Sequence, residues 1–459
     1  MSPDPAHAQD TARHRLSPAR VLDIDPLLDD PETRIVVCCG SGGVGKTTTA
    51  AALGLRAAER GRKVVVLTID PARRLAQSMG IDSLDNVPRR VKGTEDRGGA
   101  SDDDPAGDGG GRRAGGELHA MMLDMKRTFD EVVEAHADPE RAAAILANPF
   151  YQSLSAGFAG TQEYMAMEKL GQLRAKDEWD LIVVDTPPSR SALDFLDAPK
   201  RLGSFLDGRL IRLLTAPAKL GGWAGMKFLN AGMSMMTGTL GKLLGGQLLK
   251  DVQTFVAAMD TTFGGFRTRA DATYKLLQAP GTAFLVVAAP ERDALREAAY
   301  FVERLAAEDM PLVGLVLNRV HGSGADRLSA ERALAAAENL EEPGIVDQGD
   351  GKAGLRNSPE THDSSESPAA SSVSEPRPPG TDPDVDQLTA GLLRLHADRM
   401  QLLSREQRTR DRFTARHPEV AVVEVAALPG DVHDLAGLRD IGDRLAAKRP
   451  ELPETHTDA

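Results

Sequence analysis

A glycine-rich loop that ends in Lys46 and Thr47 is the stretch of this sequence best suited to phosphate chemistry. It matches the pattern Gly-x-x-x-x-Gly-Lys-Thr, beginning at Gly40. Glycines let consecutive backbone N–H groups close around phosphate oxygens without Cβ clashes, and a following helix adds its positive N-terminus. We expect Lys46 to reach the β- and γ-phosphates of a nucleotide and the Thr47 hydroxyl to bind Mg²⁺. The predicted phosphate-binding residues are Gly40, Ser41, Gly42, Gly43, Val44, Gly45, Lys46, Thr47 and Thr48.

The segments on either side of the loop favour this interpretation over a chance glycine-rich turn. Residues 34–39 form a short apolar run, typical of a buried parallel strand. Residues 50–59 are rich in helix formers, and Gly61 is a suitable C-terminal stop. Strand, loop and helix in this order are the context that a phosphate-binding loop requires.

Two aspartates follow other predicted strands. Asp70 comes shortly after the apolar run 63–68, and Asp185 ends the run that begins near Trp179. Because open α/β sheets bind ligands at the carboxyl ends of their strands, both carboxylates are candidates for one site. We expect Asp185 to hold Mg²⁺ through water, although a solvated acid at a strand end remains an alternative. Asp70 precedes a proline, so it also suits the start of a helix.

Strands alternate with helices along the chain, which predicts an α/β fold with a mostly parallel sheet covered by helices on both faces. Further buried strands are expected at residues 118–123, 282–290, 312–319 and 420–425. Helices are expected through Phe129 and Val133 and over residues 139–175, 291–308 and 385–417.

Changes in composition divide the chain. Residues 1–33 are rich in Pro and Asp and are predicted to be flexible, and residues 448–459 form an acidic tail. Residues 95–116 and 341–384 lack hydrophobic periodicity, which predicts two disordered inserts. Residues 200–280 differ from the flanking segments in amino-acid composition and are predicted to form a helical subdomain.

Within that subdomain, residues 205–246 combine apolar side chains at helical spacing with a concentration of Met and Gly. A flexible, Met-rich surface accommodates varied apolar partners. Packing within the subdomain, or a subunit interface, explains the same composition.

Net charge, the lengths of apolar runs and cysteine content argue against several classes of protein. The net charge of -13 disfavours nucleic-acid binding, which depends on neutralising phosphates, so no nucleic-acid partner is expected. The N-terminus lacks the apolar region of a signal peptide, and no apolar run is long enough for a membrane span.

The two cysteines, Cys38 and Cys39, are neighbours on one predicted strand, so their side chains are expected to point to opposite faces of the sheet. We interpret them as small buried residues. Without disulfides, a cytoplasmic location is expected.

The sequence resembles the ArsA family of ATPases in residues 40–48, 68–72 and 185–188. That family includes the arsenite-pump ATPase subunit and the chaperone ATPase that delivers tail-anchored membrane proteins, and it shares the deviant-Walker-A class with MinD and ParA proteins. The resemblance covers residues 34–447 apart from the two inserts. It implies a P-loop NTPase domain over that range, ATP and Mg²⁺ as cofactors, and a dimer that opens and closes with its nucleotide, ATP or ADP.

The resemblance also implies roles for single residues. Asp70 matches the aspartate that positions or deprotonates the attacking water, and Lys46 shares the catalytic role. Asp185 matches the acid of the second switch, and Asn318 matches an asparagine that reads adenine. The loop that closes over the base corresponds to Leu428, Pro429, Gly430 and Asp431.

Ser41 departs from the family pattern, which has a signature lysine at this position. In the dimer that lysine crosses to the other subunit's nucleotide and stabilises transition-state charge, as an arginine finger does. Serine cannot do this. Hydrolysis is therefore slow, or another residue substitutes, or a lysine-bearing paralogue completes a heterodimer; we favour the heterodimer as a hypothesis.

Cysteine usage is the second departure. Arsenite requires soft thiolate ligands, and only Cys38 and Cys39 are present, both expected to be buried. The zinc-binding C-x-x-C pair of the tail-anchor chaperone is missing as well. The sequence therefore predicts an ATPase for transport or for handling a membrane-protein client, in the cytoplasm or peripheral to the membrane, and not an arsenite pump. The alternatives are a MinD- or ParA-like positioning ATPase and a slowly hydrolysing nucleotide-bound scaffold.

Overall fold

The computed structural model describes only part of the chain in enough detail for structural statements. The described residues are 20–69, 76, 78–81, 84–94, 116–149, 151–152, 161–187, 268–341 and 383–447. The chain divides into two units, one comprising Met1–Val320 with Arg408–Ala459 and the other His321–Gln407.

The first unit is built on a sheet that has eight strands in the described residues, in the order β3-β4-β2-β5-β1-β6-β7-β8. All neighbouring strands are parallel except β3 and β4. The strands are β1 (Ile35–Cys39), β2 (Lys63–Thr68), β3 (Arg89–Arg90), β4 (Glu117–Met122), β5 (Leu181–Asp185), β6 (Thr282–Ala288), β7 (Leu312–Val320) and β8 (Val422–Ala426). The predicted mostly parallel α/β sheet is confirmed.

Helices cover both faces of this sheet. Those described in the first unit are α1 (Ile24–Asp29), α2 (Lys46–Glu59), α3 (Met125–His136), α4 (Pro139–Leu146), α5 (Thr161–Lys176), α6 (Arg292–Ala307) and α9 (Leu435–Ala446). Helix α7 (Ala330–Glu341) belongs to the second unit, and α8 (Pro383–Arg416) begins in the second unit and ends in the first. Alternate residues of β1 enter opposite cores: Val36 packs with the α2 and α9 side, and Val37 packs with the α3, α5 and α6 side. No helix among the described residues is both long enough and apolar enough to cross a bilayer.

The prediction of a flexible segment over residues 1–33 is wrong for residues 20–33. Leu22 donates its backbone N–H to Val422 O at 3.1 Å, next to β8. Ile24 and Leu28 of α1 are fully buried. Arg56 of α2 binds Asp25 through two hydrogen bonds of 2.6 and 2.8 Å. The Pro- and Asp-rich composition suggested a flexible segment, whereas residues 24–29 form a short amphipathic helix whose contacts lie far away in the sequence.

Arg62 fastens this N-terminal segment to the sheet. Its guanidinium is buried and donates to four backbone carbonyls, those of Leu28, Asp30, Thr33 and Asp180. The four carbonyls replace water around the charged guanidinium, and its burial lowers the pKa of Arg62 from the usual value.

We expect Arg62→Ala to lower the free energy of unfolding by about 2–4 kcal/mol, since several buried carbonyls lose a charged donor together. Urea unfolding followed by circular dichroism measures the change. The matched control is Arg141→Ala, which removes an exposed arginine from α4 and should leave the stability nearly unchanged. Equal effects of the two substitutions would contradict the structural role of Arg62.

Several predictions about domain boundaries fall on residues outside the described ranges. They are the inserts within 95–115 and 342–382, the subdomain over 200–267 and the tail 448–459. Where the described ranges resume, residues 268–278 are helical and α8 begins at Pro383. Helix α7 was not predicted.

The second unit contains α7 and the first part of α8. His321 Nδ1 lies 2.6 Å from Glu406 Oε1, and His396 Nε2 lies 2.8 Å from Leu328 O. Arg394 of α8 forms an ion pair with Glu341 at the end of α7. These contacts attach α8 to the chain segment that follows β7.

Candidate nucleotide-binding site

The glycines of the loop between β1 and α2 are required by its backbone. Gly40, Gly43 and Gly45 have φ angles of 149°, 77° and 94°, in the region that L side chains rarely adopt. A Cβ on Gly40 would lie 2.1 Å from Val287 O on β6, and a Cβ on Gly45 would lie 2.2 Å from Asn318 Nδ2. Gly45 is also the N-cap of α2. The loop is therefore a narrow backbone cradle at a helix N-terminus, which suits a phosphate group.

We expect Gly40→Ala to destabilise the fold by about 2–4 kcal/mol and to abolish nucleotide binding, because the loop must shift away from Val287. Thermal unfolding and binding of a fluorescent ATP analogue measure the two effects. Gly322→Ala is the control, since a Cβ there meets nothing within 4 Å. A Gly40→Ala variant that binds nucleotide as the parent does would contradict the cradle.

Lys46 occupies the first position of α2 and is 6% exposed. Its Nζ donates to Ser41 O at 2.8 Å, so the loop curls around the ammonium group. Lys46 therefore lies within the loop, and its role as a phosphate-binding lysine stays a prediction. Ser41 takes part through its backbone carbonyl.

Thr47, near the start of α2, meets Asp185 at the carboxyl end of β5. The Thr47 hydroxyl donates to Asp185 Oδ2 at 2.5 Å, and the Thr68 hydroxyl donates to the same oxygen at 3.0 Å. Asp185 is fully buried, and its Cα is in register with Cys38 of β1 and Thr68 of β2. The alternative of a solvated acid is therefore wrong. A hydroxyl and a carboxylate side by side supply the oxygen ligands that Mg²⁺ prefers, so these residues fit the ion.

Thr68 is a residue of this site that the sequence reasoning did not single out. It lies at the end of β2, and its hydroxyl holds the Asp185 carboxylate from the side opposite to the loop. The available signal was its position in the Thr-x-Asp element, two residues before Asp70.

Asp70, the predicted catalytic base, lies outside the described residues. The residue before it is placed: Ile69 donates its N–H to Asp185 O at 3.1 Å, and its carbonyl accepts from Gln162 Nε2 at 3.0 Å. The chain thus leaves β2 beside Asp185. The role of Asp70 stays a prediction.

Asn318 lies against the phosphate-binding loop. Its Nδ2 donates to Val44 O at 2.8 Å, and its Oδ1 accepts the N–H of Arg319 at 2.9 Å. This contact with the loop was not foreseen from the sequence. Pro429 and Asp431 are exposed on the segment after β8, the strand paired with β7 at Asn318. The adenine-binding roles of these three residues stay predictions.

The two cysteines behave as predicted. Both are free and buried, and they belong to the cores on opposite faces of the sheet. Burial raises the pKa of Cys39 to about 12. The pKa of Cys38 is also raised, by burial and by the nearby Asp185. Both thiols therefore stay protonated at neutral pH and are poor soft-metal ligands.

Comparisons with known proteins agree with this geometry. A family model described as anion-transporting ATPase matches residues 33–333. The ATPase GET3 of Malassezia globosa is 28% identical over 176 residues, which are 38% of this chain and 45% of that protein. The ATPase GET3 of Podospora anserina is 25% identical over 317 residues, 68% of this chain and 81% of that protein. An ATPase ASNA1 homolog of Cryptosporidium parvum is 25% identical over 284 residues, 61% and 63% of the two chains.

Proposed function

The chain belongs to the ArsA family of anion-transporting ATPases, and from its site we propose that ATP binding and hydrolysis at the loop of residues 40–48 open and close a dimer that handles a membrane-protein client. The observation that carries the proposal is the meeting of Lys46, Thr47 and Asp185 at the carboxyl ends of β1 and β5. A buried amino group, a hydroxyl and a carboxylate beside a backbone cradle suit a magnesium-triphosphate.

Each group has a defined task in this proposal. The cradle and Lys46 hold the phosphates, because backbone N–H groups and an ammonium offset their charge. Thr47 and Asp185 would hold Mg²⁺, which when bound screens the phosphate oxygens. Asp70 orients the attacking water, since it follows Ile69 directly and Ile69 is bonded to Asp185. Loss of the γ-phosphate after hydrolysis then removes negative charge from the neighbourhood of Asp70 and Asp185.

We further propose that a second subunit supplies a positively charged side chain that hydrolysis requires and that this chain lacks. Ser41 offers its carbonyl to Lys46 and brings no charge of its own to the site. Phosphoryl transfer depends on stabilising charge on the transferred group, and an uncharged hydroxyl cannot supply the missing cation. The partner is a lysine-bearing paralogue, which makes the chain one half of a heterodimer; a slowly hydrolysing homodimer is the alternative.

Steady-state ATPase assays test this arrangement. We expect the purified chain to hydrolyse ATP slowly and to speed up when a lysine-bearing paralogue is added. Because a charged finger is worth roughly 10³-fold or more in phosphoryl transfer, Ser41→Lys should raise turnover at least ~10-fold on its own. The control is Ser404→Lys, at an exposed serine on α8. Rapid turnover by the unmodified chain alone would contradict the need for a partner's lysine.

Arsenite is not part of the proposed function. The raised pKa values of Cys38 and Cys39 keep both thiols protonated, and their burial on opposite faces prevents them from binding one ion together. We expect no change in ATPase rate with arsenite. A several-fold stimulation would contradict this part of the proposal.

The client element that we propose is residues 205–246, which lie outside the described residues. Its methionines offer an adaptable apolar surface for a client's hydrophobic segment. They are Met226, Met233, Met235 and Met236. Replacing these four with serine should reduce cross-linking to a hydrophobic helical peptide while ATP binding persists. Unchanged cross-linking would assign the segment to internal packing.

A further inference from the structure

Gln162, the second residue of α5, donates a side-chain hydrogen bond to the strand end that leads into the nucleotide site. Its Nε2 lies 3.0 Å from Ile69 O, in a partly buried contact. The paired registers of β2 with β4 and with β5 both end at Thr68, one residue earlier. The Ile69 carbonyl therefore lies just beyond the ladder, and a side-chain amide serves as its donor in place of a neighbouring strand.

The backbone of Ile69 is held from its other side by Asp185. The Ile69 N–H donates to Asp185 O at 3.1 Å, so Ile69 links α5 to the carboxyl end of β5. The Ile69 side chain is buried and belongs to the same core as Tyr164 of α5. Gln162 is thus connected, through a single residue, to the aspartate that accepts from Thr47.

Helix α5 is fastened independently of this hydrogen bond. Glu168 is buried on α5, and its Oε1 accepts from Arg269 Nε at 2.9 Å. Lys169 is buried next to it, and its Nζ donates to Glu131 Oε2 at 3.0 Å. Both ion pairs lie roughly two turns along the helix from Gln162. Because the donor is carried by a helix that is already fixed, its hydrogen bond serves mainly to orient the acceptor, the Ile69 carbonyl.

We propose that Gln162 is a positioning residue for ATP hydrolysis, an inference that rests on the proposed function. The carbonyl that it holds belongs to the peptide bond between Ile69 and Asp70, so the hydrogen bond restricts rotation of that planar unit. Asp70 itself lies outside the described residues. An aspartate that orients the attacking water gains from a fixed preceding peptide, because phosphoryl transfer depends on alignment of the reacting groups.

The substitution Gln162→Met tests this role, since methionine keeps the length of the side chain and removes the donor. We expect kcat for ATP hydrolysis to fall about 10- to 100-fold, the cost of a small misplacement of reacting groups. The affinity for ATP in Mg²⁺ should stay that of the parent, because the loop of residues 40–48 is unchanged. Single-turnover phosphate release and equilibrium binding measure the two quantities. Gln162→Glu, which keeps the shape but presents a carboxylate to the carbonyl, should lower kcat at least as far.

Gln278→Met is the matched control. Gln278 Nε2 also donates to a backbone carbonyl in a partly buried contact, that of Glu308 at 2.7 Å. The melting temperatures of Gln278→Met and Gln162→Met should fall by similar amounts, whereas only Gln162→Met should lose kcat. Hydrogen exchange of the Ile69 amide, followed by mass spectrometry without nucleotide, should be several-fold faster in Gln162→Met than in Gln278→Met.

The outcomes separate this inference from the proposed function. A folded Gln162→Met protein that releases phosphate as fast as Gln278→Met does would overturn the positioning role and leave the ATPase proposal intact. Equal exchange of the Ile69 amide in the two variants would overturn it as well. A parent chain that binds and hydrolyses no ATP would overturn the proposed function and this inference together.

Discussion

Replacing Lys46 with alanine should weaken ATP binding by about 10- to 100-fold, because a charge-assisted hydrogen bond to a phosphate contributes roughly 1.5–3 kcal/mol. Turnover should fall further, by about 10²- to 10³-fold, since the same ammonium also offsets charge that develops in the transition state. The reason lies in the geometry: Nζ is buried within the loop at 2.8 Å from Ser41 O, so no other side chain takes its place without a rearrangement. Equilibrium binding and a phosphate-release assay measure the two effects.

The Lys46→Ala protein should remain folded. Removing a buried ammonium relieves its desolvation, which offsets the lost hydrogen bond, so the melting temperature should change little. Lys92→Ala is the matched control, because Lys92 is exposed and remote in function from the loop. If Lys46→Ala binds and hydrolyses ATP as Lys92→Ala does, Lys46 is a structural lysine and not a phosphate ligand.

Replacing Asp185 with asparagine should remove the dependence of ATP binding on Mg²⁺. Asparagine keeps the shape of the side chain and still accepts from Thr47 and Thr68, yet it lacks the negative charge that attracts the ion. We expect ATP affinity in Mg²⁺ to fall to the value measured with a chelator, and turnover to fall by about 10²-fold or more. Binding titrations with and without Mg²⁺, combined with the phosphate-release assay, test this.

Thr68→Val is the control that separates a structural role of Asp185 from a metal-binding role. Valine preserves the volume at the end of β2 but removes the hydroxyl that donates to Asp185 Oδ2. We expect it to lower the free energy of unfolding by about 1 kcal/mol and to keep the Mg²⁺ dependence. A Thr68→Val protein that loses its Mg²⁺ response as Asp185→Asn does would show that the carboxylate acts only through packing.

The sequence was sufficient for the elements that are continuous in it. Strands β1, β2, β5, β6 and β7 each contain a run of mostly apolar residues, because the central residues of strands in a parallel sheet covered on both faces are buried on both sides. The glycines of the loop were identified correctly because positive φ angles leave few alternatives to glycine. The rule that ligands bind at carboxyl strand ends identified Asp185 as a candidate, whereas its hydrogen bond with Thr47 is visible only in the structure.

Features held by distant contacts were not foreseen. Helix α1 is fixed by Arg56 and Arg62, whose partners are more than twenty residues away, and its acidic composition suggested a flexible segment. Asn318 contacts Val44 across 274 positions of the sequence. Local composition carries no information about such pairs.

The most direct test of the nucleotide site is a calorimetric titration of the folded chain with ATP, performed once in Mg²⁺ and once in a chelator. The geometry of Lys46, Thr47 and Asp185 predicts saturable binding in Mg²⁺, with weaker binding in the chelator. No heat of binding from well-folded protein, or the same affinity with and without Mg²⁺, would contradict a magnesium-nucleotide site at this loop.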